Sequence, residues 1–431
     1  MRKKLIAIIL VLLMVFTALV ACKPDDGHKT TELQKDQTIN IYSWWDPTKG
    51  GLEALKKGFE EKYKEYNVKL NFVKVGGSYY TTLLTKLAAA KLAGGSAEKI
   101  DVIMLAFDQL PFFAQNGQLQ ALDEVVDKAY LDSLYPSVKE SLYYDNTLYA
   151  LPRDITSWCT YVNKDVFEKA GVAIPSEDWT MEQFIEVCGK LHEKGVYGFA
   201  TNDYTDVLSP WLYLYGGEYF DKETNVSTLS SKESKEGILA LYHLMENDGA
   251  MTIAEARSNG KAQDAFGRGE VGMFFGGLSD SVTVEKYTKN YTVLPLPAGV
   301  NGKQSHSFTN CWAVPAISSQ SAWGKEVVKY FASEEGQKIA AENDMGLPAV
   351  ANADLTAWVA AKPVRKLFLD ALGYEKTVPY ATHVNGNSWG SNARTLLRDK
   401  IFNVEGMTDA EVIAKLSELD ESLTYYLMGG S

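Results

Sequence analysis

The feature that most constrains this chain is the order of hydrophobic periods between Thr38 and Ala106. Thr38 to Ser43 alternates apolar and polar residues, with Ile39 and Ile41 on one face, which is the period of a strand. Leu52, Leu55, Phe59, Tyr63 and Tyr66 then recur at helical spacing among Lys and Glu. Val68, Leu70 and Phe72 alternate again, and a second helical stretch runs from about Tyr80 to Leu92. Val102 to Ala106 is a continuous apolar run, as in a strand covered on both faces. Strand, helix, strand, helix, strand predicts an α/β lobe built on a parallel sheet with right-handed crossovers.

One such lobe does not use up 431 residues, which exceed the span of a usual single core, so two lobes are expected. Beyond Pro152 the pattern resumes. Met181, Phe184, Ile185, Cys188 and Leu191 mark an amphipathic helix, and Ser234 to Asn247 marks another. Gly269 to Phe275, Thr292 to Leu294 and Trp312 to Val314 read as strands, and the chain from about Ser321 reads as mostly helical. There is no repeat of fixed period.

The first residues bear on compartment. Arg2, Lys3 and Lys4 precede an apolar run from Leu5 to Val20, interrupted only by Thr17 and ending in Leu19-Val20-Ala21-Cys22. A basic start, an apolar stretch and small residues before a cut describe a secretory signal, and the run is short for a span of about 20 residues. Cys22 at the cut resembles the bacterial lipobox, whose cysteine takes a diacylglycerol and becomes the new N-terminus. An uncleaved anchor with a chance cysteine is the alternative; both leave the body outside the membrane. Residues 1–21 are thus expected to be a signal peptide. Residues 22–37, polar except for Leu33, should form a flexible tether.

The formal charge of −12 argues against nucleic acid and anionic lipid as partners, and losing Arg2, Lys3 and Lys4 makes the body more acidic still. Cys159, Cys188 and Cys311 are scattered, with no CxxC pair and no histidine at ligand spacing, so neither a metal nor another cofactor is expected. Buried unpaired thiols are the preferred reading. No GxSxG, HExxH or GxxxxGK[ST] motif is present. His28, His192, His243, His306 and His383 are isolated and read as surface or core imidazoles.

Aromatic content is what stands out, with 9 Trp, 24 Tyr and 17 Phe. Several lie beside Gly, Pro and carboxylates in Trp44-Trp45-Asp46-Pro47, Gly76-Gly77-Ser78-Tyr79-Tyr80, Asp203-Tyr204, Pro210-Trp211 and Asn387-Ser388-Trp389-Gly390. A pyranose has apolar C–H faces and a belt of hydroxyls. Aromatic planes pack on the first, and carboxylates, amides and Arg bond the second.

Five stretches together resemble the bacterial extracellular solute-binding proteins of sugar ABC importers, the group of the maltose-binding protein. They are the lipobox; Tyr149-Ala150-Leu151-Pro152-Arg153-Asp154 with Tyr161-Val162-Asn163-Lys164-Asp165-Val166-Phe167-Glu168-Lys169-Ala170-Gly171 and the following Trp179-Thr180; Leu214-Tyr215-Gly216-Gly217-Glu218-Tyr219-Phe220-Asp221; Ala265-Phe266-Gly267-Arg268-Gly269-Glu270-Val271-Gly272-Met273; and Leu294-Pro295-Leu296-Pro297 with Ser333-Glu334-Glu335-Gly336-Gln337.

The resemblance implies an α/β, two-lobed periplasmic-binding-protein-like fold of type II, with hinge crossings and a ligand cleft between lobes. It places residues 38–152 and 308–363 in one lobe and 153–307 and 364–431 in the other, with crossings near Leu151-Pro152, Ser305 to Phe308 and Pro363. It implies a monomer, lipid-anchored at the extracytoplasmic face, that captures a carbohydrate without chemistry and hands it to an ABC importer permease. Ligand contacts are expected at Trp45, Asp46, Asp108, Asp154, Trp211, Gly276, Gly277, Trp312 and Trp389. Asp46, Asp108 and Asp154 would bond hydroxyls, and Trp45, Trp211 and Trp389 would stack. Leu278 stands where some relatives place a stacking Trp, and Tyr161 and Val162 are read as structural. Two alternatives stay open. One is a secreted glycoside-active enzyme, which needs paired carboxylates. The other is the same fold holding a peptide or an acidic sugar, with Arg153 and His383 pairing a carboxylate.

Overall fold

The computed structural model describes residues 32–48, 50–76, 78–93, 98–203, 205–247, 249–351, 353–377, 383 and 385–430. In chain order, the strands of its two main sheets are β1 (Thr38–Ser43), β2 (Lys69–Lys74), β3 (Val102–Leu105), β4 (Ala150–Pro152), β5 (Thr156–Asn163), β6 (Tyr197–Ala200), β7 (Val271–Gly277), β8 (Tyr291–Pro295), β9 (Ser305–Phe308), β10 (Cys311–Ala313) and β11 (Glu375–Thr377).

The first sheet runs β2-β1-β3-β10-β4. Strands β1, β2 and β3 are parallel, as the alternating periods predict, and β10 is antiparallel to both β3 and β4. Leu52, Leu55 and Phe59 fall on one face of the helix Gly50–Lys62, and all three are buried. The helix lies so close to its neighbour that a Cβ on Gly58 would come 2.2 Å from the Tyr330 hydroxyl. Phe59, Tyr63 and Tyr66 meet Trp323 edge-on at 6.1, 5.4 and 5.3 Å, a geometry that aromatic rings favour.

The second sheet runs β11-β9-β5-β7-β6, with β8 also paired to β5. Strand β5 is antiparallel to β7, β8 and β9, while β6 and β7 are parallel. One face packs Trp179, Phe184, Phe199, Trp211 and Phe275 into a separate core. The other, through Tyr161 and Phe274 stacked at 4.5 Å, joins the core of the first lobe. Thr180 and Gln183 form a capping box at the helix Met181–His192. The strand expected from Gly269 begins at Val271, because Gly269 at φ 78° closes the turn before it.

Two further differences have local causes. The expected tether does not extend to residue 37. Leu33 packs against the first core, Trp323 donates to the Gln34 carbonyl (2.8 Å) and the Asp36 N–H donates to the Tyr66 carbonyl (2.9 Å). One apolar side chain and a set of partnered backbone groups are enough to lay residues 33–37 on the lobe. The second crossing, expected near Ser305 to Phe308, falls just after it: Ser305–Phe308 is strand β9 of the second sheet, and the chain changes sheet at Thr309 and Asn310. Cys159, Cys188 and Cys311 are buried free thiols. Residues 1–31, with Cys22, lie outside the described residues. Among the described residues no helix is long and apolar enough to cross a membrane.

Candidate functional site

Strand directions place the site. The C-terminal ends of β1 and β3 share an edge with the N-terminus of β10 and the C-terminus of β4, through the pairs Leu105–Cys311 and Cys311–Pro152. In the second sheet, the C-terminal ends of β6, β7 and β9 share an edge with the start of β5, through Ala200–Phe274, Gly277–Trp158 and Phe308–Thr156. Residues 153–155 and 309–310 connect these two edges. Ligands of α/β sheets sit outside the carboxyl ends of strands, and here two such edges face each other. Gln337, buried, holds the crossing by donating to the carbonyls of Pro152 (3.3 Å) and Arg153 (3.0 Å). Ile155 and Leu347 exchange backbone bonds of 2.9 and 3.1 Å, which ties a third segment to it.

The first wall is aromatic and charged. Arg153 donates from Nε to Asp154 Oδ2 at 2.9 Å and also pairs with it through Nη2, both side chains being almost wholly buried. The guanidinium lies 4.2 Å from the Trp45 ring centroid and 5.9 Å from that of Trp44. Asp154 Oδ1 accepts two longer bonds from Asn310, each 3.4 Å. A Cβ on Gly346 would come within 2.6 Å of Asp154, so only glycine lets that segment close on the pair. Tyr79 places its hydroxyl 2.9 Å from the carbonyls of Tyr42 and Met104 and ties β1 to β3. Asp108 is half-buried, bonded by Gln109 at 3.0 Å, and burial raises its carboxyl pKa. Asp46 turns back on itself, accepting from the backbone and hydroxyl of Thr48, which with Lys74 holds its pKa down to about 2.

The second wall carries a polar chain and a row of rings. Gly277 N–H donates to Asp280, whose other oxygen accepts from Gln263, whose carbonyl oxygen accepts from Asn202. Burial pushes the Asp280 carboxyl up to about 6. Asp203 is buried beside Arg257, Arg394 and Arg398, at 3.3, 3.0 and 3.0 Å. Burial opposes its charge, but bonds from Arg398 and Arg394 and the charge of Arg257 outweigh that and lower its pKa. Phe308 reaches across to Phe107 of the first lobe (4.7 Å between centroids), and behind it His306 touches Trp158 (4.6 Å) and lies parallel to Tyr213 (6.4 Å, 7°).

The structure brings Trp45, Asp46, Asp108 and Asp154 to the first wall, and Gly276 and Gly277 to the second. Asp154, however, spends its oxygens on Arg153 and Asn310. Gly277 has its N–H on Asp280 and its carbonyl on the Tyr161 hydroxyl (2.8 Å). A Cβ at Gly276 would meet Asp280 at 2.5 Å, so that glycine serves the Asp280 turn. The three deeper tryptophans correct the expectation. Trp312 is fully buried in β10 and meets Phe331 edge-on at 5.3 Å. Trp211 is 1% exposed among Phe184, Phe199 and Phe275. Trp389 is fully buried against Tyr219 and Phe220. Each ring has its faces against protein, so none is free to stack a solute. Phe107, Arg153, His306 and Phe308 were not singled out as neutral-ligand contacts. Phe107 had a signal, next to Asp108 after the buried run. The alternation of His306 with Phe308 was a second signal, read as a crossing.

Residues 45–338, more than half of the chain, match the family of bacterial extracellular solute-binding proteins. This chain belongs to that family. It is 25% identical over 404 residues to an uncharacterised ABC transporter extracellular-binding protein of Pyrococcus horikoshii, covering 89% of this chain and 88% of that one. It is 26% identical over 346 residues to the galactooligosaccharide-binding protein of Bacillus subtilis, covering 77% of each. An ABC substrate-binding protein of Listeria monocytogenes, solved in complex with cycloalternan, superposes with a TM-score of 0.78 at 23% identity, over 92% of this chain and all of that one. The fold is that of the two-lobed, maltose-binding-protein-like substrate-binding proteins. As an extracellular solute-binding protein, the chain binds a solute and acts outside the cytoplasm.

Proposed function

We propose that this solute-binding protein captures a carbohydrate, of oligosaccharide size, by closing its lobes, and delivers it to the permease of an ABC importer without transforming it. The observation that carries this reading is the pairing of two strand-end edges across the crossings, lined by Trp45, Phe107, Phe308 and the Arg153–Asp154 pair. Rings for C–H faces and half-buried polar groups for hydroxyls are the composition that a sugar site needs. The galactooligosaccharide-binding relative supports the same class. In this reading Trp45 stacks, Asp108 and Asp46 bond hydroxyls, and the lobes comprise 38–152 with 308–363 and 153–307 with 364–431. The protein works as a monomer tethered through lipid on Cys22. Ligand shifts the open–closed equilibrium by its preference for the closed form.

A second reading, an anionic solute, has one observation in its favour. Arg257, Arg394 and Arg398 converge on Asp203 at the second wall. Arg153, the cation first expected to serve an acidic ligand, is already paired.

The deciding experiment is thermal melting of the soluble body against mono- and oligosaccharides, sugar acids and peptides. A ligand at about 100 times its dissociation constant adds about 2.7 kcal/mol of stability. A shift with neutral oligosaccharides and no product on long incubation is the expected result. A shift only with sugar acids selects the second reading, and hydrolysed product returns the enzyme.

A further inference from the structure

We propose that His306 and Tyr213 form a hydroxyl-reading subsite at the floor of the cleft, taking a neutral polyhydroxylated ligand. The inference rests on the carbohydrate reading above and deepens it. Strand β9 puts His306 and Phe308 two residues apart, and their rings lie 5.6 Å apart. Phe308 touches Phe107 of the first lobe, so this row of rings continues from the interlobe contact into the second lobe. Trp158 flanks the imidazole, and Tyr213, from the end of the helix Thr205–Tyr213, lies parallel to it.

His306 is fully buried, and among the described residues neither ring nitrogen has a hydrogen-bond partner; the Tyr213 hydroxyl, on a ring 5% exposed, has none there either. Buried polar groups are nearly always bonded, and each left unmade costs about 1–3 kcal/mol. Two such side chains with parallel rings, behind the Phe107–Phe308 contact between lobes, mark where a partner arrives from outside the chain.

Chemistry narrows those partners. Burial lowers the His306 pKa to about 3, so near neutrality the ring keeps one N–H donor and one lone-pair acceptor. The tyrosine hydroxyl also donates and accepts. A sugar hydroxyl does both at once and can satisfy either. A carboxylate only accepts and an ammonium only donates, so each would leave one of these groups unpaired. Selection against ligands lacking the hydroxyl follows from that residual cost.

The test is calorimetric titration of the sugar that shifts the melt against Tyr213→Phe, His306→Phe and His306→Asn. Tyr213→Phe removes one oxygen and is expected to weaken binding about tenfold, with a melting temperature at or above that of the natural chain. His306→Phe should weaken it about as much or more, and His306→Asn, which restores a donor and an acceptor, should recover most of the loss. Wild-type affinity in both Tyr213→Phe and His306→Phe overturns the subsite while the carbohydrate reading stands. If the natural chain binds no neutral sugar but another solute, the carbohydrate reading fails. Nitrogen-15 spectra of the His306 ring with that solute then decide. An unmoved resonance overturns the subsite, and a moved one keeps His306 as a ligand contact.

Discussion

On the first-lobe side of the cleft, Arg153 is bonded to Asp154 and lies over Trp45, so its charge is matched before any solute arrives. On the second-lobe side, His306 and Tyr213 are as deeply buried but uncharged and unpaired. A buried ion pair is held together by its own geometry, and losing either partner strands a charge. A buried neutral group without a partner stores a deficit that something else can make good. The Arg153–Asp154 pair is therefore suited to rigidity, and groups such as His306 and Tyr213 to recognition in the reading proposed above.

The largest expected effect attacks the first wall. Asp154→Ala leaves Arg153 buried without its carboxylate and should cost about 3–5 kcal/mol of stability, read from the denaturant midpoint. A cost below about 1 kcal/mol would make the pair dispensable and remove the contrast.

An intermediate effect concerns pH. The folded pKa of His306 lies below its ordinary value, so its contribution is fully present above about pH 6.5 and is lost as pH falls toward about 3. In that window stability should drop by about 1.4 kcal/mol per pH unit from this group. The faces packed on it, Trp158, Tyr213 and Phe308, carry no charge to offset the loss. Urea unfolding of His306→Phe at pH 7 and pH 5 should show a smaller acid loss than the natural chain, and identical slopes would place the titration elsewhere. Asp280 works in the opposite direction, losing stability as pH rises through about 6, so the comparison must be made between matched chains.

The smallest effect sharpens the first wall. Trp45→Phe keeps a ring beneath Arg153 but weakens its cation–π attraction, for a change of about 0.5 kcal/mol in stability. A larger loss would mean that Trp45 orders the whole Arg153–Asp154 pair.

Much of the architecture was legible along the chain. The first three strands and the helices between them followed from Ile39, Ile41, Leu52, Leu55, Phe59 and Val102 to Leu105, because each element buries one face and its period shows which. Trp45, Asp108 and Asp154 were expected from the family resemblance, and the structure sets them just past the C-terminal ends of β1, β3 and β4. Trp211, Trp312 and Trp389 were not legible as core. A tryptophan beside Pro, Gly or Asn looks the same in sequence whether its ring faces a cleft or three phenylalanines. His306 failed the other way, for an isolated histidine carries no sign of its surroundings.

By itself, then, the amino-acid order determined the α/β class, the apolar faces, the acidity and the likeness to a family of solute binders. Only the tertiary structure decided which polar groups are satisfied. Asp154 meets Asn310 in the crossings, and His306 meets Trp158 on paired strands, across separations of 156 and about 150 residues. Periodicity is local and survives in sequence. Hydrogen-bond partnership at a cleft is set by long-range strand pairing, and that exists only once the chain has folded.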